Sequence, residues 1–247
     1  MHIFWATQVP QVTSEEILIL FPLFMVTFLF SLSFHEAAHA FMAHKCGDDT
    51  ARLLGRMTLN PIVHIDPIGT LLLPGIAFLS SLAGGGVFMI GWAKPVPVNP
   101  LNFNNYRKGE ILVSLACTFS NLMLIAVGSL ICRALVMYYL SEETLIRILD
   151  SESQVEMFRA NPFFTFFFIF AFLNSILFIF NLIPIPPLDG SHVLEQFLSG
   201  QAAEAYNRVM RPYGLIILIA LLWLGVFSIL FSIMSYVVLC TIFVGIL

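Results

Sequence analysis

Ile17-Leu18-Ile19-Leu20-Phe21, Phe24-Met25-Val26 and Phe34-His35-Glu36-Ala37-Ala38-His39-Ala40 belong to one nearly unbroken apolar run that ends in a cluster of titratable side chains. Its length suits a helix that spans a membrane. On a helix, residues four apart share a face, so His35 and His39 can present two imidazoles to one metal ion. Glu36 lies about 100° further round the helix, where it can reach a metal-bound water without being a ligand itself. Two histidines and a general base in this order are the layout of a metal-dependent hydrolase, with zinc as the natural ion. Left unpaired in lipid, the three side chains would cost several kcal/mol, and a bound cation is the simplest compensation.

The rest of the composition agrees with a membrane setting. Of 247 residues, 59% are hydrophobic and 11% charged, whereas soluble proteins carry about 25% charged residues. The chain reads as a polytopic membrane protein. A net charge of -4 without any basic cluster points away from a nucleic-acid partner. Cys46, Cys117, Cys132 and Cys240 are scattered, without metal-type pairing or a disulfide framework, and most read as small apolar core residues. No Lys or Arg precedes the first apolar run and no convincing cleavage site follows it, so that run is read as a retained span.

The first span is expected over about Glu16–His44, stopped by Cys46-Gly47-Asp48-Asp49. A turn-rich polar stretch follows, then an apolar segment from Ile68 to Trp92 broken by Pro74 and Gly84-Gly85-Gly86. Further spans are expected at about Gly109–Tyr139 and Phe163–Ile183, separated by an acidic loop with Glu142, Glu143, Asp150, Glu152 and Glu156. Pro184 to Arg211 is polar, and residues 212–247 suit one long helix or a helical pair. Lys45, Arg52, Arg56, Lys94, Arg107, Lys108, Arg208 and Arg211 mark the cytoplasmic segments and leave the N-terminus outside. With both its flanks cytoplasmic, Ile68–Trp92 is either a re-entrant element or a span with one misassigned loop. The expected architecture is all-α with about five to six transmembrane helices and a small membrane-dipping or β element. It forms one domain over residues 1–247, with a core at about 16–211.

A catalytic zinc site usually takes a third protein ligand. Asn181-Leu182-Ile183-Pro184-Ile185-Pro186-Pro187-Leu188-Asp189-Gly190 supplies a candidate. The prolines end the helix and Gly190 permits a tight backbone, so Asp189 can turn inward at the depth of His35 and His39. Asn121 and Asn181 are candidates for binding substrate or the oxyanion, or else for hydrogen bonds between helices. His64 and Asp66 read as structural or outer-sphere residues. His2, His44 and His192 read as interfacial, Ser31 and Ser33 as helix-packing residues, and the phenylalanines from Phe163 to Phe168 as lipid-facing bulk.

His35-Glu36-x-x-His39 and Pro186-Pro187-Leu188-Asp189-Gly190, in this order, resemble the motifs of the site-2 protease family, peptidase M50, in its compact form without PDZ or CBS domains. Gly55-Arg56-x-Thr58-Leu59-Asn60-Pro61, His64-x-Asp66-Pro67-x-Gly69-Thr70 and Trp92-Ala93-Lys94-Pro95-Val96-Pro97 resemble one branch of it. Where that family carries Ala-Gly-Pro before an asparagine, this chain reads Ala116-Cys117-Thr118-Phe119-Ser120-Asn121.

The resemblance implies an intramembrane zinc metalloprotease, with one Zn2+ per chain held by His35, His39 and Asp189 and with Glu36 as general base. Its substrates would be transmembrane proteins or peptides, met in the lipid bilayer. The β-branched and turn-rich character of Thr58–Trp92 adds the expectation of a membrane-dipping strand that holds the substrate extended by strand addition. It also implies a bacterial inner membrane, with the active site towards the cytoplasm. A catalytically silent zinc-binding scaffold is the alternative. A metal transporter would need further acidic or histidine sites along the spans, which hold almost none.

Overall fold

The computed structural model describes residues 14–82, 91–139 and 161–243. The N-terminal tail, the middle of the Ile68–Trp92 segment and the acidic loop lie outside the described residues. Within them every regular element is helical. Eight α-helices occur: α1 (Ser14–Cys46), α2 (Thr50–Leu53), α3 (Leu73–Leu82), α4 (Tyr106–Tyr139), α5 (Pro162–Leu182), α6 (Asp189–Phe197), α7 (Gly200–Trp223) and α8 (Val226–Phe243). Three of them, over Ile17–Cys46, Tyr106–Tyr138 and Pro162–Leu182, are long and apolar enough to cross a membrane, and shorter apolar helices accompany them.

The bundle is built on α4, which packs against both α1 and α5. Ile125, Cys132 and Val136 of α4 meet Phe164 and Ala171 of α5 and Val238 and Ile242 of α8 in one buried cluster. Phe28 and Leu32 of α1 meet Leu173 of α5 in a second. Lipid tails are as apolar as leucine, so close packing and interhelical hydrogen bonds hold such helices together. The fully buried Asn174 of α5 donates to Ser31 of α1 at 2.9 Å. Ser31 is thus a packing residue, as expected. The phenylalanine run divides: Phe163 is exposed, whereas Phe164 is buried in the core rather than facing lipid. Asn161 caps the start of α5 through the Phe164 amide, and this fixes which ring turns inward.

The turn-rich stretch after α1 folds back as a belt. Asp48 is fully buried and accepts from Thr50, from the Asn99 amide at 2.7 Å and from the Asn102 side chain at 2.8 Å. The expected strand in 58–92 is absent among the described residues. Asn60 and Asp66 instead cap helical turns that begin at Pro61 and Pro67, and the second runs as a π-helical turn into α3. Proline at the first helical position behind an Asx cap nucleates a helix where β-branched residues alone suggested a strand.

Extended chain appears just beyond, over residues 91–99. The Trp92 amide donates to the Gly69 carbonyl at 3.2 Å, and Thr70 donates to the Trp92 carbonyl at 2.8 Å. Gly69 and Thr70, near one end of the apolar segment, therefore meet Trp92 at the other. At the C-terminus a pair of helices forms rather than one. Gly225 breaks α7 from α8 with φ +72°, a left-handed conformation that glycine adopts at no steric cost. α7 begins at Gly200, well before the expected Pro212, which lies inside it.

Candidate metal centre

α1 delivers His35 and His39 to one face, their ring centroids 4.9 Å apart. Asp189 comes from the first turn of α6. α5 ends at Leu182, ahead of Pro184, Pro186 and Pro187, and the chain turns through Ile185 and Leu188 before α6 begins. Gly190 is needed there, because a Cβ would lie 2.6 Å from the Leu182 carbonyl oxygen and 2.7 Å from that of Ile183. Tyr206 of α7 braces the turn by donating to the Pro184 carbonyl at 2.8 Å.

The result is a compact donor set. His35 Nε2 lies 3.3 Å and His39 Nε2 3.4 Å from the same Asp189 Oδ2. Metal–ligand bonds of about 2.0–2.1 Å at tetrahedral angles put neighbouring ligand atoms roughly 3.3 Å apart. The two histidine-to-carboxylate spacings thus already match the corner spacing of a zinc site, and the ligand atoms all lie within 4.8 Å of one another.

The outer nitrogens are also committed. His39 Nδ1 lies 3.1 Å from the Val113 carbonyl oxygen, an acceptor that fixes Nδ1 as the N–H and frees Nε2 for a metal. His35 Nδ1 lies 3.2 Å from the Asn121 amide nitrogen, while Asn121 Oδ1 is buried without a partner. Turning the amide over brings Oδ1 onto His35 Nδ1–H and supplies the acceptor that a metal-bound imidazole requires. The orphaned oxygen therefore fits a bound metal.

Glu36 stands beside the set, 8% exposed, with Oε2 accepting from the Val96 amide at 2.7 Å. The segment that carries Val96 is itself fixed. The Lys94 amide donates to the His64 carbonyl at 2.9 Å, and Arg56 donates to the Lys94 carbonyl at 2.7 Å. Residues 92, 94 and 96 spend their amides inward, whereas Pro95 and Pro97 have none to offer outward.

The profile of Peptidase family M50 matches residues 23–225. The chain belongs to peptidase family M50. Among its relatives, "Putative zinc metalloprotease YwhC" of Bacillus subtilis is 37% identical over 202 residues, which cover 82% of this chain and 80% of that one. "Putative zinc metalloprotease Rip2" of Mycolicibacterium smegmatis is 28% identical over 82% of this chain and 67% of its own. The protein of the same name from Mycobacterium tuberculosis strain H37Rv is 30% identical over 81% and 66%. No solved structure matches the chain.

In this M50 peptidase, His35, His39 and Asp189 lie together, Asn121 contacts His35, and Glu36 follows His35 on the same helix. Asn181 gives its amide to the Leu177 carbonyl of its own helix at 2.8 Å. His64 is buried against the Thr58 carbonyl, and Asp66 caps the turn at Pro67, so both have structural roles. Reasoning from sequence missed Cys117, whose sulfur joins the donor set. The signal was spacing: Val113, Cys117 and Asn121 lie at i, i+4 and i+8 on α4, one stripe facing the site. It also missed Val96 and the ion pair of His192 with Glu110, 3.4 Å apart.

Proposed function

We propose that this peptidase is a zinc-dependent intramembrane protease that cuts transmembrane segments of membrane proteins. The observation that carries the reading is the pair of 3.3 and 3.4 Å spacings from His35 Nε2 and His39 Nε2 to one oxygen of Asp189, set on helices long and apolar enough to cross a bilayer. A zinc ion bound there supplies a Lewis acid and lowers the pKa of water to about 7.

The protein's own groups do the rest. Glu36 Oε2 is tied to Val96, which leaves Oε1 to take the proton of the attacking water and return it to the leaving amine nitrogen. Val113 and Asn121 hold the histidines in the tautomer that points Nε2 inward. Asn121 is fully buried, so we assign it to positioning His35, and Asn181, half-buried, to the substrate backbone or the oxyanion. A helical substrate hides its peptide bonds and has to be extended before cleavage. Domain 1–247 acts as one membrane-embedded unit, with the N-terminus outside and the site towards the cytoplasm of a bacterial inner membrane, where the basic residues cluster.

One observation favours a second reading, a zinc-binding scaffold without turnover: the sulfur of Cys117 sits where a catalytic site keeps an open position. The test is cleavage of single-span reporters by purified, zinc-loaded protein beside Glu36→Gln. Wild-type cutting within the membrane segment, lost by about 10²–10⁴-fold in a variant that keeps its zinc, supports the protease. Zinc binding without cutting across a broad reporter panel favours the scaffold.

A further inference from the structure

We infer that Cys117 is a fourth protein ligand of the metal, so that the resting centre is a closed His35–His39–Asp189–Cys117 set. This rests on reading the site as a metal centre. The donor atoms of the four residues all lie within 4.8 Å of one another, and Cys117 Sγ is 3.0 Å from Asp189 Oδ2. α4 holds the sulfur there. The residue has no exposed surface, and its neighbours on the same stripe, Val113 and Asn121, are both engaged with the ligand histidines.

The sulfur stands between two oxygen acceptors. It sits 3.0 Å from the Ser114 carbonyl oxygen and 3.0 Å from Asp189 Oδ2, and a thiol has one proton for the two acceptors. Ser114 O also faces the Thr118 hydroxyl at 3.4 Å. A cation between Sγ and Oδ2 resolves the contact, because both become donors to the same ion.

Charge points the same way. A divalent ion held by two neutral imidazoles and one carboxylate keeps a net positive charge, which is costly inside a bilayer. A thiolate cancels it. Sulfur is also a ligand that zinc favours. The same neutrality is reached when hydroxide replaces the thiolate, so Cys117 competes with water for one position and acts as an intrinsic closure of the site. Substrate cleavage then requires Cys117 to leave.

Zinc K-edge X-ray absorption on the zinc-loaded full chain tests this without depending on a variant. The expected result is one sulfur neighbour at about 2.3 Å beside nitrogen and oxygen neighbours. That sulfur shell is lost in Cys117→Ser, and cobalt-loaded wild type shows a sulfur-to-metal charge-transfer band that the variant lacks. A first shell of nitrogen and oxygen alone in wild type overturns the inference. If such a protein still cuts reporters, the protease reading stands without it. A chain that binds no zinc overturns both.

Discussion

Glu36 Oε2 accepts a 2.7 Å hydrogen bond from the Val96 amide, sixty residues further along the chain. The contact joins the catalytic motif of α1 to the extended belt, and it selects which carboxylate oxygen stays free. Prolines on both sides of Val96 restrict that backbone, and Arg56 pins the Lys94 and Pro95 carbonyls.

Removing the amide while keeping the belt tests its role. Val96→Pro is expected to lower kcat on reporters about tenfold, the equivalent of about 1.4 kcal/mol, with zinc content unchanged. Val96→Ala retains the N–H and is expected to stay within a factor of two or so of wild type. Equal turnover in the two variants would mean that the hydrogen bond does not orient the base.

Asn121 supports His35 from behind. Asn121→Ala is expected to weaken zinc binding by about 10–100-fold, as loss of an outer acceptor does in other zinc sites. Chelator competition followed by metal analysis measures it. Affinity equal to wild type would assign the buried amide to helix packing instead.

The Asp189 turn depends on the absence of a side chain at residue 190. Gly190→Ala places a Cβ 2.6 Å from the Leu182 carbonyl oxygen, so the backbone has to move. A loss of roughly 1–3 kcal/mol is expected, read as a lower Tm in detergent together with reduced zinc retention. An unchanged Tm would show that the turn relaxes freely.

His192 and Glu110 give a pH signature. The hydrogen bond that His192 donates to Glu110 raises the His192 pKa above its ordinary value; burial opposes the shift, and the negative charges of Glu110, Asp189 and Glu195 add to it. A raised folded-state pKa gives stability that is fully present below about pH 6.5 and is lost as pH rises through the folded value. Tm is therefore expected to decline over that interval, and His192→Gln is expected to flatten the decline. An identical slope in the variant would assign the dependence to another group.

The residues also explain which features could be read from sequence. Spans expected at about Glu16–His44, Gly109–Tyr139 and Phe163–Ile183 appear as Ser14–Cys46, Tyr106–Tyr139 and Pro162–Leu182. Long apolar runs bounded by capping residues and prolines carry that information locally. Of the membrane-dipping or β element expected in 58–92, no strand forms among the described residues, because the Asx caps before Pro61 and Pro67 start helical turns there. The C-terminal break was half legible, since Gly225 signals a stop but the helical start at Gly200 lies in polar sequence.

By itself, the sequence determined the membrane class, the helical spans and the family, and it put forward His35, Glu36, His39 and Asp189 as candidate site residues. Those features are written in composition and in spacings of a few residues. Only the tertiary structure decided that Val96 holds the base, that Asn121 backs His35, and that Cys117 stands among the ligands. These contacts join residues 60, 86 and 72 positions apart in the chain. Their geometry is set by how α4, α6 and the extended belt pack on α1, and no local pattern encodes that packing.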